Sequence, residues 1–186
     1  MLPAALGEGG LVVLAGAVGW WLETPPFDRL RFSLGGLAWG IGATVPLLLA
    51  LRWCLTTAWH PVASLVEMVR EQLAPLFRGA SLPELALLAL LAGVGEEALF
   101  RGVIQEALGG SLPMWAALLI TSLLFGVAHW VSTTYAILAG VVGLYLGLLY
   151  LLSQNLLAPI VTHALYDFVA LFILTRLKPA PRSSVV

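Results

Sequence analysis

Gly93-Val94-Gly95-Glu96-Glu97-Ala98-Leu99-Phe100-Arg101-Gly102 places two carboxylates and a guanidinium inside an apolar run that extends from about Leu82 to Leu108. A charge at bilayer depth is costly unless it is paired, so charged groups within a hydrophobic span mark a working site by default. Two later pairs share the property. Phe125-x-x-x-His129 and His163-x-x-x-Asp167 also put polar chemistry into apolar stretches.

The chain has 186 residues, which suits one domain. It is 60% hydrophobic and 10% charged, with a mean hydropathy of +0.98. Soluble domains carry roughly a quarter charged residues. A water-soluble monomer could not hide this much apolar surface, so the expected environment is a lipid bilayer. The net charge of -1 offers no basic stripe to meet phosphates, which excludes nucleic acid as a partner. Cys54 is the single cysteine, so there is neither an internal disulfide nor a cysteine metal cluster. No Lys or Arg precedes the first apolar run, and no small-residue cleavage site precedes Glu23. The first segment is therefore expected to stay as a membrane helix.

A spanning helix needs about 20 apolar residues. Leu2 to Leu22 is long enough, although Glu8 interrupts it and only Gly10 to Leu22 is clean. Trp20 and Trp21 suit its interface end. A polar loop with two prolines follows, and Gly35 to Ala58 reads as the second span. His60 to Arg78 differs in character. Val62, Leu65, Val66, Val69, Leu73 and Leu76 recur at helical spacing, with Glu67, Arg70, Glu71, Gln72 and Arg78 on the other face. That pattern fits a helix lying in the membrane interface. Ser81-Leu82-Pro83-Glu84 starts the third span, which carries the charged stretch and ends at Gly109-Gly110. Pro113 to Val131, Tyr135 to Leu152 and Asn155 to Leu177 give the fourth, fifth and sixth. The tail from Lys178 is expected to be disordered. The fold class is all-α: a single membrane-embedded domain over residues 1–186, a bundle of about six spans with one interfacial helix and a motif-bearing core over about 82–174.

Basic residues orient the bundle. Arg70 and Arg78 lie between spans two and three, and Arg176, Lys178 and Arg182 follow span six. With six spans these share one side, and only Arg29 and Arg31 lie opposite. The positive-inside tendency then puts both termini in the cytoplasm.

Helical geometry divides the roles. Glu97 and Arg101 stand at i,i+4, the favoured order for an ion pair. Glu96 and Arg101 stand at i,i+5 and diverge by roughly 140° at 100° per residue. Glu97 is thus expected to pair with Arg101, leaving Glu96 to project elsewhere. Phe125 and His129 share one face of span four, and His163 and Asp167 one face of span six. A Glu and a His facing each other across helices can hold and deprotonate a water, and a second His can donate to a developing oxyanion. That set describes amide or ester hydrolysis without a covalent intermediate. A Ser122 or Cys54 nucleophile has less support, because the sequence assigns neither a basic partner.

The three ordered motifs, Glu96-Glu97-x-x-x-Arg101, Phe125-x-x-x-His129 and His163-x-x-x-Asp167, resemble those of the CAAX protease and bacteriocin-processing family, also called the Abi family. The resemblance covers roughly Leu82 to Leu174. It implies a glutamate-dependent intramembrane endopeptidase in a prokaryotic plasma membrane. Glu96 and His129 would activate water, and His163 and Asp167 would lie at the oxyanion side. Glu97 and Arg101 would shape the first motif, with Phe125 packing beside the site. The implied partners are the bilayer and a membrane-associated peptide, with prenylated peptides among the candidates. The resemblance implies no cofactor. Its third motif accepts Asn or Asp. An ionised Asp167 cannot donate to an oxyanion, so it either stays protonated or orients a neighbour such as a His.

Two other readings use the same groups. Glu, His and Asp could hold a divalent metal in a membrane metalloprotease, although Arg101 adds unfavourable charge and no His-Glu-x-x-His motif is present. They could also form an ion path in a transporter, or persist in a non-catalytic immunity-type membrane protein. The helix near 60–78 is placed to present membrane-bound peptides to the site.

Overall fold

The computed structural model describes residues 2–176, and every regular element among them is helical. Their order is α1 (Leu2–Trp21), α2 (Leu34–Thr56), α3 (His60–Met68), α4 (Leu82–Glu97), α5 (Glu106–Gly109), α6 (Met114–Ala128), α7 (Thr133–Ser153) and α8 (Leu157–Arg176). The expected tail beyond Lys178 lies outside the described residues.

Leucines face outward and charges face inward. Val13, Leu49, Leu123 and Ile137 are each more than half exposed, while Glu97, Arg101, Gln105 and Thr162 are buried. Only a hydrocarbon solvent makes that arrangement stable, because it welcomes the leucines and rejects the charges. The four helices α1, α2, α7 and α8 are long and apolar enough to cross a membrane. The chain is an integral membrane protein built as a multi-pass helical bundle.

The other two expected spans are built differently. α4 runs without interruption through a wider π-helical stretch, Ala98–Gln105, into α5, so the helical path continues from Leu82 to Gly109. π turns accommodate an extra residue per turn and recur at functional sites. Here the widened turns hold Arg101 and Gln105, both buried. α6 has only 15 residues, short of a full crossing. It stops at Ala128 because His129 leaves helical geometry at φ -98 and ψ 22. His129 therefore sits at a helix end rather than within a span.

Local signals account for the other ends. The Ser81 N–H and hydroxyl both donate to Glu84 Oε2, at 2.8 and 2.7 Å, with Pro83 in the first turn of α4. Ser33 and Ser132 accept from the backbones of Gly36 and Tyr135, capping α2 and α7. Glu8 does not break α1, which starts at Leu2 and keeps the residue on an unbroken helix. The amphipathic stretch after His60 is α3, then a π turn Val69–Leu73 and a 3₁₀ turn Ala74–Phe77. It buries Val62, Leu65 and Ala74 and turns Glu71 and Leu76 outward.

α4 packs against α8 and α1, α6 against α7, and α2 against α8. Small residues make these approaches close. A Cβ on Gly93 would stand 3.0 Å from the backbone nitrogen of Ala164 on α8, and one on Gly95 would stand 2.8 Å from the carbonyl oxygen of Glu8 on α1. Helix association in lipid depends on such contacts, since no hydrophobic drive separates helix from solvent. Gly95→Val is expected to force α1 and α4 apart and cost about 1–3 kcal/mol. Gly16→Val, at a glycine with open space around it, is the matched control. Thermal unfolding in detergent checks the pair: a lower midpoint for Gly95→Val alone is expected.

Candidate active site

The site assembles from three helices. α4 and its π continuation bring Glu96, Glu97 and Arg101, α6 brings Phe125 and its end brings His129, and α8 brings His163 and Asp167. The structure gathers all seven in one neighbourhood, around a cavity of about 400 Å³ whose polar lining includes Glu96, His129, His163 and Asp167.

Next to these groups lies a buried ion pair. Arg101 Nη1 donates to Glu97 Oε1 at 2.8 Å, and both side chains have 0% exposure. The other guanidinium nitrogen, Nη2, donates to the Gly143 carbonyl of α7 at 2.7 Å. The guanidinium carbon lies 4.6 Å from the centre of the Phe125 ring, at cation–π distance. One turn on, Gln105 Nε2 donates to the Gly147 carbonyl at 3.3 Å. Gly143 and Gly147 allow this approach, because a Cβ on Gly147 would stand 2.8 Å from Gln105 Oε1.

The same Glu97 oxygen receives a second bond. His163 Nδ1 lies 2.7 Å from Glu97 Oε1. A carboxylate that already accepts from Arg101 only accepts, so His163 Nδ1 carries the proton. His163 Nε2 lies 3.4 Å from Asp167 Oδ2, one turn along α8. Both ring nitrogens therefore face carboxylate oxygens.

Glu96 turns away from the Arg101 pair. Its Oε2 lies 3.4 Å from His129 Nε2 and has no closer hydrogen-bond partner. His129 Nδ1 lies 2.8 Å from the carbonyl oxygen of Phe125. A carbonyl only accepts, so Nδ1 donates, and in the neutral ring Nε2 presents its lone pair to Glu96. The His129 ring stacks on Phe125 at 4.4 Å between centres, and Phe125 in turn meets Phe100 edge to face at 5.0 Å. These contacts restrict the imidazole to its position beside Glu96.

The alternative nucleophiles are otherwise occupied. The Ser122 hydroxyl donates back to Leu118 at 2.6 Å within its own helix. Cys54 lines the cavity wall as a free, half-buried thiol. Among the described residues no three His, Cys, Asp or Glu side chains are grouped to hold a metal ion.

Two cavity residues escaped the reading of the sequence. Tyr135, at the start of α7, faces His129 at 6.3 Å between rings. Glu8 reaches the cavity from α1. Neither belongs to a motif. The only signal for Glu8 was its position as the lone charge within an otherwise apolar span.

Comparison with known proteins follows the same residues. The family model described as type II CAAX prenyl endopeptidase Rce1-like matches residues 78–169. That interval contains every one of the seven motif residues. Among curated proteins, the chain is 33% identical over 97 residues to the uncharacterized protein YpbD of Bacillus subtilis (strain 168). The match spans 50% of this chain and 47% of that protein, so the chain covers about half of its relative's length. No solved structure matches. Over residues 78–169, which hold all the ordered motifs, the chain is similar to the Rce1-like type II CAAX prenyl endopeptidases.

Proposed function

We propose that this protein is a glutamate-type intramembrane endopeptidase that hydrolyses a peptide bond in a membrane-associated substrate. The observation that carries the reading is the pairing of Glu96 Oε2 with His129 Nε2, 3.4 Å apart, on the wall of the cavity. Both are acceptors when Glu96 is ionised and His129 is neutral with Nδ1 held by the Phe125 carbonyl. One water that donates a hydrogen to each satisfies both. Its lone pairs then point away from the pair and toward a substrate carbonyl.

The chemistry balances from there. Glu96 takes a proton from the water as its oxygen attacks the carbonyl carbon. The carbonyl oxygen becomes an oxyanion. His163 donates to it from Nε2, while Glu97 fixes the ring through Nδ1. The carbon–nitrogen bond breaks, and the proton held by Glu96 passes to the leaving amine. Asp167 orients His163 and receives its Nε2–H when no oxyanion is present.

The substrate class follows from the cavity walls. Away from the ionisable groups the lining is apolar, with Leu47, Leu51 and Leu88 from the core helices and Val69, Leu73 and Phe77 from the stretch after α3. Such walls suit an aliphatic or prenyl chain, with the peptide backbone at the polar end. The α3 stretch lies in the membrane interface and supplies one edge of the entrance. Leu174 and Thr175, near the end of α8, line the same cavity. The entrance thus faces the side of the bundle to which Arg70, Arg78 and Arg176 belong, which is the cytoplasmic side by charge. Across the bundle Arg29 is paired with Glu106 at 3.1 Å, which reduces its weight as a topological signal. Both termini are then cytoplasmic, in the plasma membrane of a prokaryote.

Proteolysis in reconstituted vesicles, with a library of peptides carrying or lacking a prenylated cysteine, tests the function. Glu96→Gln and His129→Ala are expected to lower kcat by about 10²–10⁴, the usual size of general-base catalysis, with little change in unfolding temperature. Cleavage that persists in both variants removes the assignment. The same assay with a chelator is expected to show full activity, and loss restored by one divalent metal would overturn activation without a metal.

Asp167→Asn is expected to keep activity within about tenfold of the parent, because an amide oxygen still accepts from His163 Nε2. A variant as inactive as Glu96→Gln would instead assign Asp167 a proton-transfer role.

Arg101→Met is expected to act on assembly as well as on rate. It leaves Glu97 buried without its cation, a loss of about 3–5 kcal/mol. Arg101→Met/Glu97→Leu should recover much of the stability and none of the activity, measured by thermal unfolding alongside turnover.

A further inference from the structure

Glu8 is the unexplained group in the cavity. It stands on α1, outside the residues 78–169 that the family model matches. The rest of α1 is apolar, so a carboxylate there is costly unless something compensates. Among the described residues, the ion pairs join Arg29 to Glu106, Arg101 to Glu97, His129 to Glu96, and His163 to Glu97 and Asp167. Glu8 takes part in none. Its Oε2 is shielded from solvent and has no hydrogen-bond partner.

Its position is built. Gly95 lets α1 approach α4 until the Glu8 carbonyl oxygen would stand 2.8 Å from a Cβ at residue 95. The contact brings Glu8 beside Glu96, and the Glu8 side chain lines the same cavity as Glu96, His129, His163 and Asp167.

Charge then decides what the group is for. Glu8, Glu96, Glu97 and Asp167 bring four carboxylates to the site. Arg101 and two imidazoles supply at most three positive charges. With both rings protonated, one negative charge is still left over in a poorly solvated space. A cation relieves it. A divalent metal does not suit, since among the described residues no three donor side chains are grouped to hold one. A single ammonium or guanidinium suits one free carboxylate, and forms a charge-assisted hydrogen bond with it.

We propose that Glu8 is a specificity-determining residue whose carboxylate receives a cationic side chain, lysine or arginine, of the peptide substrate close to the bond that is cut. The proposal rests on the peptidase reading above. It makes α1 part of the substrate site rather than a simple anchor.

The test uses the full chain in vesicles and sets of N-acetylated peptides that differ by lysine, arginine or norleucine at each position flanking the cleavage site. At one position the parent is expected to show a kcat/KM at least about tenfold higher for lysine or arginine than for norleucine, the worth of one charged hydrogen bond. In Glu8→Gln that ratio should fall to near one. Glu8→Asp should keep the preference in reduced form, and Glu8→Lys should favour glutamate at the same position. An equal ratio in the parent and in Glu8→Gln overturns the proposal. Cys54, the single cysteine, lines the same cavity and gives a readout that needs no cleavage. The lysine peptide should protect Cys54 from maleimide at a lower concentration than the norleucine peptide in the parent, and at the same concentration in Glu8→Gln. Equal protection by the two peptides in the parent overturns the proposal as well. If no peptide is cleaved by the parent, or cleavage persists in both Glu96→Gln and His129→Ala, the glutamate-peptidase reading falls, while the Cys54 comparison still decides the role of Glu8.

Discussion

The bundle depends on one buried ion pair. Glu97 and Arg101 have no exposure to the surroundings, and neither could remain in a membrane alone. Each satisfies the other and then uses its remaining capacity on a different helix. Arg101 reaches the Gly143 carbonyl on α7 and covers Phe125 on α6. Glu97 takes His163 from α8. A single pair thereby links four helices. Replacing such a pair by apolar groups is often tolerated, whereas removing one partner is not. Its value here is therefore less in net stability than in specifying one arrangement: α4, α6, α7 and α8 satisfy these groups only when all are in place.

That constraint explains the distribution of small residues. A guanidinium and an amide can bond to backbone carbonyls of a neighbouring helix only where that helix lacks bulk. α7 supplies Gly143 and Gly147 one turn apart, matching Arg101 and Gln105 one turn apart on the widened part of the α4 path. The same economy recurs on the other faces of α4. Gly93 accommodates α8 and Gly95 accommodates α1. The charged stretch Glu96–Arg101 is thus preceded by the glycines that let its charges be buried.

What the sequence made legible is what hydropathy and helical spacing encode. Long apolar runs located α1, α2, α7 and α8, and the i,i+4 spacing placed Arg101 beside Glu97, Phe125 beside His129 and His163 beside Asp167. Spacing along one helix says nothing about what a side chain meets on another. The bond between His163 and Glu97 joins residues 66 apart in sequence, and no local pattern announces it. The π widening at Ala98–Gln105 was equally hidden, since it answers to the neighbours of Arg101 and Gln105 rather than to helix propensity. α6 read as a full span because Trp130 and Val131 continue the apolar run. They extend the hydropathy without extending the helix. Glu8 was visible only as a flaw in a span. Its relation to the site arises from the packing of α1 on Gly95, which a linear pattern does not contain.

The two motif histidines show how far identical side chains are separated by what their second nitrogen touches. His129 Nδ1 meets a backbone carbonyl, which can only accept, so the neutral ring offers a lone pair at Nε2. His163 Nδ1 meets a carboxylate already committed to Arg101, and its Nε2 meets another carboxylate on Asp167. A ring held between two acceptors satisfies both by donating from both nitrogens. One imidazole is thus disposed to receive a hydrogen beside Glu96, and the other to present one across the same cavity. Hydrolysis of an amide needs that asymmetry, because the attacking water must lose a proton while the carbonyl oxygen gains a donor. It is generated by a main-chain oxygen at the end of α6 and a carboxylate on α4. The assembled backbone, and not the two histidines by themselves, turns an accepting nitrogen of one ring and a donating nitrogen of the other toward the cavity, which is what the proposed hydrolysis would use.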